Sequence, residues 1–168
     1  MATANTKSTI VTNADTLNGA KKNGLHLTGG RVRHARATVE VAAADDNASV
    51  YRFFRVHSSW SVLQLLVWND AIASGSQFDI GLHDIAENGG AAIDDDCWAT
   101  QVSMTSARAV PLDATFEALN VDKIEKKVWE VAGLSADPNK MCDITMTADT
   151  VGTAAGTISM LMYYCAND

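Results

Sequence analysis

The chain has 168 residues, of which 47% are hydrophobic and 20% are charged, and these are the proportions of one globular domain with a packed core. Its formal net charge of −7 would repel phosphate backbones, so DNA and RNA are not expected as direct partners. No apolar run approaches the roughly 20 residues that cross a bilayer, and the polar first residues do not form a signal peptide, so no contact with a membrane is expected.

The first 30 residues differ from the rest of the chain in pattern and in charge. They contain no sustained hydrophobic period and are interrupted by Asn-Gly or Gly-Gly pairs at 18–19, 23–24 and 29–30, which predicts an extended N-terminal arm (1–30) before a sandwich domain over 31–168. The first 36 residues carry six positive charges, which only Asp15 opposes. These cations belong either to a solvated terminus or to an arm that docks on an acidic partner through Lys7, Lys21, Lys22, Arg31 and Arg33.

The middle of the chain has the pattern of β-strands. Alternating apolar and polar residues predict strands over 36–43 and 78–83. Residues 50–56 carry apolar side chains on both sides and predict a strand flanked by protein on both faces, and the nearly continuous apolar run over 62–68 predicts a buried strand. Two short strands, over 91–93 and 98–102, are predicted on either side of an acidic loop of Asp94, Asp95 and Asp96. The segment 115–119 is a further candidate strand.

Between 121 and 132 the hydrophobic period becomes helical. Apolar residues recur there at a spacing of three to four, with charged residues between them, which predicts one short amphipathic helix. Asn120 is the expected N-cap, and Gly133 suits the left-handed residue after the last turn.

The last part of the chain predicts a hairpin of two strands, over 142–147 and 157–164. If these strands pair, Cys142 and Cys165 come near enough to be joined by oxidation, although buried free thiols are the simpler expectation for three cysteines without CxxC spacing. Seven to nine strands and one helix together predict an all-β fold, an antiparallel β-sandwich. We favour a jelly roll, although the pattern does not fix the strand order.

Residue patterns for catalysis are missing from the sequence. The chain contains no nucleophile elbow, no Walker-type loop and no dinucleotide-binding glycine motif. The four histidines stand singly without ligand spacing, and His83 is interpreted as a half-exposed residue on the polar face of a strand. The acidic loop at Asp94 is interpreted as solvated, because it lacks the ligand spacing of a calcium site. We therefore expect no enzyme activity, no metal and no cofactor.

The four tryptophans divide by their neighbours. Trp68 and Trp129 lie inside apolar runs and are assigned to the core. Trp60 and Trp98 are flanked by polar residues, so we predict that they contact another protein, where aromatic side chains concentrate. The same two rings could instead form a platform for stacking sugars.

Several short motifs, most of them turns and strand ends, carry a resemblance to a known family. In chain order they are Asp79-Ile80-Gly81-Leu82, Asn88-Gly89-Gly90, Trp129-Glu130, Gly133-Leu134-Ser135-Ala136-Asp137-Pro138 and Ala155-Gly156-Thr157-Ile158. Their order over about 39–164 resembles the head decoration, or cement, proteins of tailed bacteriophages. The chain departs from that pattern at His83 and Cys142, where an aromatic residue is expected.

The resemblance implies a role and a set of partners. A protein of that family is a β-sandwich that binds the outer surface of a phage capsid, across contacts between major capsid protein subunits. It also binds copies of itself as a dimer or trimer and catalyses no reaction. The implied location is the capsid exterior of the virion, after synthesis in the host bacterial cytoplasm. A carbohydrate-binding or tail/fibre-associated β-sandwich module, with Trp60 and Trp98 as stacking rings, is the alternative.

Overall fold

Eight β-strands pair into two antiparallel sheets within the residues that the computed structural model describes, 6–16, 21–72 and 75–166. The strands are β1 (Val32–Val41), β2 (Val50–His57), β3 (Ser61–Asn69), β4 (Gln77–Asp84), β5 (Ala92–Ser103), β6 (Leu112–Asp113), β7 (Met141–Thr150) and β8 (Gly156–Cys165). Two short α-helices, α1 (Thr9–Ala14) and α2 (Val128–Val131), and two 3-10 helices, Ala86–Asn88 and Val121–Glu125, lie between them. No helix in the described ranges is long and apolar enough to span a bilayer.

The strand order is nested. Sheet I has the order β1-β8-β3-β6, and sheet II has the order β2-β7-β4-β5. The first strand therefore pairs with the eighth, the second with the seventh, the third with the sixth and the fourth with the fifth. The predicted all-β antiparallel sandwich is confirmed, and nested pairing of this kind is what a jelly roll requires.

The core lies between the two sheets and follows from alternation along the strands. In the middle of β3, β4, β7 and β8 every second side chain points inward and is 0–1% exposed. The largest of these side chains are Leu65, Phe78, Ile80, Leu82, Trp98, Ile144, Met146, Ile158, Met160 and Met162. Each buried side chain of this size contributes roughly 1.5–3 kcal/mol of hydrophobic free energy, so this layer holds the sheets together.

The strands predicted over 36–43, 50–56, 62–68 and 78–83 are confirmed as β1 to β4. The prediction of two short strands around Asp94–Asp96 is wrong, because β5 runs through the acidic residues without a break. Ile80 faces Ala99 and Leu82 faces Asp94, so β4 advances by two residues where β5 advances by five. The extra residues form a bulge in β5, and a bulge interrupts the alternation in the sequence much as a turn does.

Gly81 of β4 makes this bulge possible. A Cβ atom at position 81 would overlap the backbone of Asp94 and Asp95, which crosses directly over the glycine. The close approach of β4 and β5 therefore requires glycine at position 81, because glycine has no side chain.

The candidate strand over 115–119 is also wrong, since this segment is a turn. Side chains hold it instead of a sheet ladder: the Thr115 hydroxyl donates to Asp113 Oδ1 at 2.5 Å and accepts from the backbone N–H of Leu65 at 2.7 Å. The N–H of Ala118 donates to the carbonyl of Trp98 at 2.8 Å. These local bonds compete with strand pairing and replace it here.

The single amphipathic helix over 121–132 is wrong as well. The 3-10 helix ends at Glu125, Lys126 and Lys127 are extended, and α2 begins at Val128. Val128 and Trp129 donate their N–H groups to the carbonyls of Trp60 and Ser58, so the chain leaves the helical path to reach the segment after β2. Two residues of the supposed buried face are exposed as a result, Val121 at 84% and Ile124 at 64%.

Of the two residues predicted to end that helix, only Gly133 has the predicted role. Asn120 precedes the 3-10 helix, but its side chain makes no capping hydrogen bond. Gly133 follows α2 with a φ of +67°, which confirms the predicted left-handed residue.

The predicted C-terminal hairpin is wrong, because β7 belongs to sheet II and β8 to sheet I. Cys142 and Cys165 therefore lie in different sheets, and the three cysteines are buried free thiols. The Cys142 thiol donates to the carbonyl of Val56 at 3.6 Å, and burial raises its pKa to about 12. A thiol of this kind is unreactive at neutral pH.

The segment predicted as an extended arm contains local structure. Thr9–Ala14 form α1, and Asn23 joins it through Asn13, whose amide donates to Asn23 Oδ1 at 2.8 Å. Residues 24–28 form a turn that lies against the end of β8, where the Cys165 thiol donates to the carbonyl of Leu25 at 3.6 Å. Positions 1–5 and 17–20 of the predicted arm lie outside the described residues, and the division at residue 30 stays a prediction.

Candidate functional site: one end of the sandwich and the outer face of sheet I

The start of β1 brings together several of the residues predicted to bind a partner. Arg31 is exposed directly before β1, and Arg33 pairs in the ladder with Tyr164 of β8. Tyr164 in turn stacks on Trp60, with ring centroids 4.9 Å apart and an interplanar angle of 18°. Arg31, Arg33 and Trp60 therefore occupy the same end of the sandwich.

Exposed apolar side chains surround these residues. Leu25 is 50% exposed, Val32 is 59% exposed and Leu63 is 38% exposed, and all three line a shallow cavity of about 150 Å³. We call this surface the cationic end and define it by Leu25, Arg31, Val32, Arg33, Trp60 and Leu63. Apolar groups with arginine beside them are typical of protein interfaces.

The three predicted lysines lie elsewhere in the N-terminal segment. Lys7 is held by Asp15, with Nζ and Oδ2 2.7 Å apart, and both side chains are about half exposed. Such an exposed pair is worth little in free energy, so Lys7 remains able to exchange its partner. Lys21 and Lys22 are exposed just before the turn over 24–28.

The structure corrects the assignment of two tryptophans, Trp98 and Trp68. Trp98, predicted to contact a partner, is 1% exposed and belongs to the core, so its ring is not available to a partner. The bulge in β5 shifts the phase of the strand and turns this ring inward despite its polar neighbours. A stacking platform built from Trp60 and Trp98 is therefore wrong.

Trp68, assigned to the core, lies instead on the outer face of sheet I. It faces Ser159 across the ladder, while its neighbour Val67 points into the core. The apolar run over 62–68 conceals this orientation, because both faces of β3 carry apolar residues. Leu65 and Val67 are two positions apart and both point into the core. Trp68, one position further along the strand, therefore points to the other face of the sheet.

The outer face of sheet I presents three parallel rows of side chains. β8 contributes half-buried residues, and β1 contributes exposed ones. The outward residues are His34, Arg36, Thr38 and Glu40 of β1, Thr157, Ser159, Leu161 and Tyr163 of β8, and Gln64, Leu66 and Trp68 of β3.

Hydrogen bonds between the strands hold part of this face in place. The hydroxyls of Thr38 and Ser159 lie 2.9 Å apart, and the Thr157 hydroxyl donates to Glu40 Oε2 at 2.8 Å. These contacts fix side chains beside Trp68, so the surface around the indole is ordered before any ligand arrives.

Two neighbouring cavities open on this face. The larger has about 440 Å³ and is lined by Arg36, Ala37, Thr38, Trp68, Ser159, Met160 and Leu161. The smaller has about 150 Å³ and is lined by Trp68, Asn69, Asp70, Arg108, Thr157 and Ser159. Because Trp68 and Ser159 line both, we call the two cavities together the Trp68 groove.

Asn69 and Arg108 carry unpartnered polar atoms beside the smaller cavity. The Asn69 side chain is 5% exposed, and its Nδ2 donates to the carbonyls of Asp70, Met104 and Ser106 at 2.6–3.2 Å. This orientation leaves Oδ1 as a buried acceptor without a partner among the described residues, and Arg108 Nε is a buried donor in the same condition. Both atoms are fully buried, so they lie behind the wall of the smaller cavity and do not open into it.

The outer face of sheet II carries a network of charges that is complete within the chain. Asp143 is 4% exposed and accepts from Arg52 Nη1 and from Arg55 Nε, each at 2.9 Å. Arg52 also donates to the carbonyls of Asp84 and Gly90 at 2.7 and 3.1 Å. The network therefore fastens the loop over 85–90 onto the sheet.

The acidic residues Asp94, Asp95 and Asp96 lie on β5 and not in a loop. Oxygens of their carboxylates lie within 4.8 Å of one another. Burial raises the pKa of Asp94, and Asp96 beside it raises it further, as expected for like charges held together.

His83 is buried in sheet II, at 5% exposure, whereas the sequence predicted a half-exposed residue. Its Nδ1 lies 2.8 Å from the Thr145 hydroxyl. Burial lowers the pKa of His83, and the charge of Arg52 lowers it further, against the opposing effect of Asp95 and Asp143. The imidazole is therefore neutral at neutral pH.

A pH dependence of stability follows from His83. Because the folded pKa lies below the ordinary value of about 6.5, this contribution is fully present above pH 6.5 and is lost as the pH falls through the folded pKa. We expect urea unfolding to show lower stability at pH 5.5 than at pH 7.5, and His83→Asn to reduce that difference. His26, whose pKa is lowered by burial and by Lys127, accounts for part of the remainder.

A histidine on the surface provides the control for this prediction. His34→Asn changes an exposed imidazole on β1 and should leave the difference between pH 5.5 and 7.5 as in the parent. Carboxyl groups with a lowered pKa, such as Asp84, act near and below pH 3.8 and stay outside this range. An unchanged pH difference in His83→Asn would contradict the assignment.

The chain matches no family model and no curated protein. Among solved structures, it is similar to a chain in the capsid of Ralstonia phage GP4, with a TM-score of 0.56 and 11% identity over 81% of this chain and 84% of that one. It is also similar to a chain in the cyanophage Pam1 capsid asymmetric unit, with a TM-score of 0.53 and 12% identity over 98% of this chain and 99% of that one. At these identities the likeness establishes a shared fold.

Proposed function

We propose that this chain is a virion structural protein that binds the outer surface of a phage capsid and stabilises contacts between major capsid protein subunits. The observation that carries the proposal is the fold shared with chains of two phage capsid structures, in one case over 98% of this chain. The decoration-protein motifs in the sequence point in the same direction. The proposed role is structural and not enzymatic, and the proposed location is the capsid exterior.

A jelly roll is the architecture that we propose for this role. The nested pairing of the eight strands supports it, and eight-stranded jelly rolls recur in viral capsid domains. A sandwich of this kind resists deformation because each central strand is paired on both sides. A rigid body that contacts two capsid subunits at once stabilises their correct spacing by mass action.

The cationic end is the surface that we propose for contact with the major capsid protein. Leu25, Val32 and Leu63 offer apolar area, while Arg31 and the nearby Lys21 and Lys22 offer positive charge. This charge stands out in a chain of net charge −7, so it directs one end of the molecule toward an acidic surface. We further propose that copies associate as a dimer or trimer, which multiplies weak contacts through avidity.

Co-sedimentation with capsids of the same phage tests the proposal. We expect the full chain to sediment with expanded capsids, and a Lys21→Glu, Lys22→Glu and Arg31→Glu variant to bind about tenfold more weakly, because three attractions become repulsions. Charge reversal is preferable to truncation at residue 30, because residues 24–30 cover Cys165.

One control variant and two contrary outcomes complete the co-sedimentation test. Arg36→Glu reverses one exposed charge in the middle of β1, five residues and about 16 Å along the chain from Arg31, and should sediment like the parent. If the full chain stays in the supernatant at every capsid concentration, the capsid role fails. If the triple variant binds as the parent does, the cationic end is not the contact.

A further inference from the structure

The Trp68 groove has the chemistry of a saccharide site. Its two cavities meet at Trp68 and Ser159, so the open space is elongated and suits a chain-like ligand. The volume of the larger part, about 440 Å³, falls within the range of small-molecule sites. The indole of Trp68 is half buried, with Val67 and Asn69 beside it in the chain both buried.

An aromatic ring held in this way binds the C–H face of a sugar. The ring face carries partial negative charge and the C–H groups carry partial positive charge, so the two surfaces attract each other as well as excluding water. The neighbouring hydroxyls of Thr38 and Ser159 are fixed by their mutual contact at 2.9 Å. A sugar ring on Trp68 therefore meets polar groups that are already in position.

The smaller cavity supplies a second polar group, the guanidinium of Arg108, which lines it together with Trp68. Arg108 is half buried and donates to the Ser103 carbonyl at 2.9 Å. A guanidinium has five N–H donors, so Arg108 keeps donors for the oxygen of a sugar hydroxyl. Asn69 Oδ1 and Arg108 Nε are fully buried behind the cavity wall and take no part in this contact.

The charges along the groove favour an acidic saccharide. Arg36 is exposed and forms no ion pair within the described residues, and the Arg108 guanidinium donates only to the Ser103 carbonyl there. Arg36 lines the larger cavity, and no carboxylate is among the described residues that line it. Asp70, which accepts from the Thr157 N–H at 3.2 Å, lines only the smaller cavity. The larger cavity is therefore the part of the groove that suits an acidic group.

We propose that the Trp68 groove binds an acidic saccharide, with a sugar ring stacked on Trp68, a hydroxyl on the Arg108 guanidinium, and a carboxylate on Arg36. The site stays open when the cationic end is occupied. Ser159 and Cys165 are six residues apart on β8, which is about 20 Å along the strand. The inference is independent of the capsid role, and the isolated protein tests it.

Binding is measured with the full chain by tryptophan fluorescence and calorimetry, with galacturonate oligosaccharides as the acidic probe and gluco-oligosaccharides of equal length as the neutral one. We expect the acidic probe to bind more tightly and Trp68→Ala to weaken it about tenfold or more. Arg36→Gln should weaken the acidic probe about tenfold and leave the neutral probe unchanged. Arg108→Gln should weaken both probes, because it removes a hydroxyl contact.

Matched variants separate the site from general effects. Trp129→Phe removes another half-buried indole, and Lys126→Gln removes another exposed cation, and both should bind like the parent. Circular dichroism establishes that each variant is folded. Failure of every probe to bind, equal affinity for neutral and acidic probes, or full binding by Trp68→Ala would each overturn the proposal. Self-association that is lost in Trp68→Ala, without saccharide binding, would assign the groove to a second copy instead and would also overturn it.

Discussion

Gly81→Ala is expected to destabilise the sandwich by about 3 kcal/mol, although it adds a single methyl group. The new Cβ would overlap the backbone of Asp94 and Asp95 where the β5 bulge crosses β4. Backbone atoms in a paired strand cannot rotate aside as a side chain can, so the bulge itself has to move. Unfolding in urea, followed by circular dichroism, measures the loss.

Gly156→Ala is the matched comparison for this prediction. It also adds a methyl group to a strand, but the Cβ would meet the Ile72 side chain, with Cγ1 at 2.8 Å, and this side chain can adjust. We expect a smaller loss, about 1 kcal/mol. Equal stabilities of Gly81→Ala and the parent would show that β5 does not cross β4 at this glycine.

Trp98→Ala should cost about 3–5 kcal/mol, because it removes the largest fully buried side chain of the core and leaves a cavity between the sheets. The effect belongs to the isolated chain and needs no partner. Both the midpoint and the free energy of urea unfolding should fall, with the slope of the transition unchanged.

The comparison with Trp68 makes this prediction specific. Trp68→Ala removes a half-exposed indole from the outer face of sheet I and should cost only about 1 kcal/mol. If the isolated chain tolerates Trp98→Ala as well as Trp68→Ala, the inward orientation of Trp98 is wrong.

Strands with one wet face were predictable from the sequence, and interruptions of the alternation were not. The segment that became β1 alternates clearly, because water contacts one side of it. In β5 the run of three aspartates looks like a loop, although the ladder to β4 absorbs it as a bulge. Neither the β-propensity of these residues nor their hydrophobic period distinguishes a loop from a bulge.

Contacts between distant residues account for the larger errors. β7 and β8 follow each other and both alternate, yet β8 pairs with β1, whose Thr38 lies 121 positions before its partner Ser159. The helical spacing over 121–132 is real, but carbonyls of residues 58 and 60 take the N–H groups at the start of α2. No window of neighbouring residues contains that information.

The two candidate sites also differ in how far the sequence predicts them. Arg31, Arg33 and Trp60 were identified by charge and by polar neighbours, and the fold brings them to one end of the sandwich. The Trp68 groove was missed, because its walls come from β1, β3, β8 and the segment near Arg108. Such a site exists only after the sheet has formed.

The place of β8 between β1 and β3 has a consequence for the timing of assembly in the cell. β8 is the last of the eight strands to leave the ribosome, and β1 has no other ladder partner among the described strands. Until synthesis reaches it, sheet I cannot close, and neither the Trp60–Tyr164 stack nor the groove wall at Ser159 is present. A nascent polypeptide therefore lacks both features until β8 has been made, and the outer face of sheet I is complete only in the finished fold.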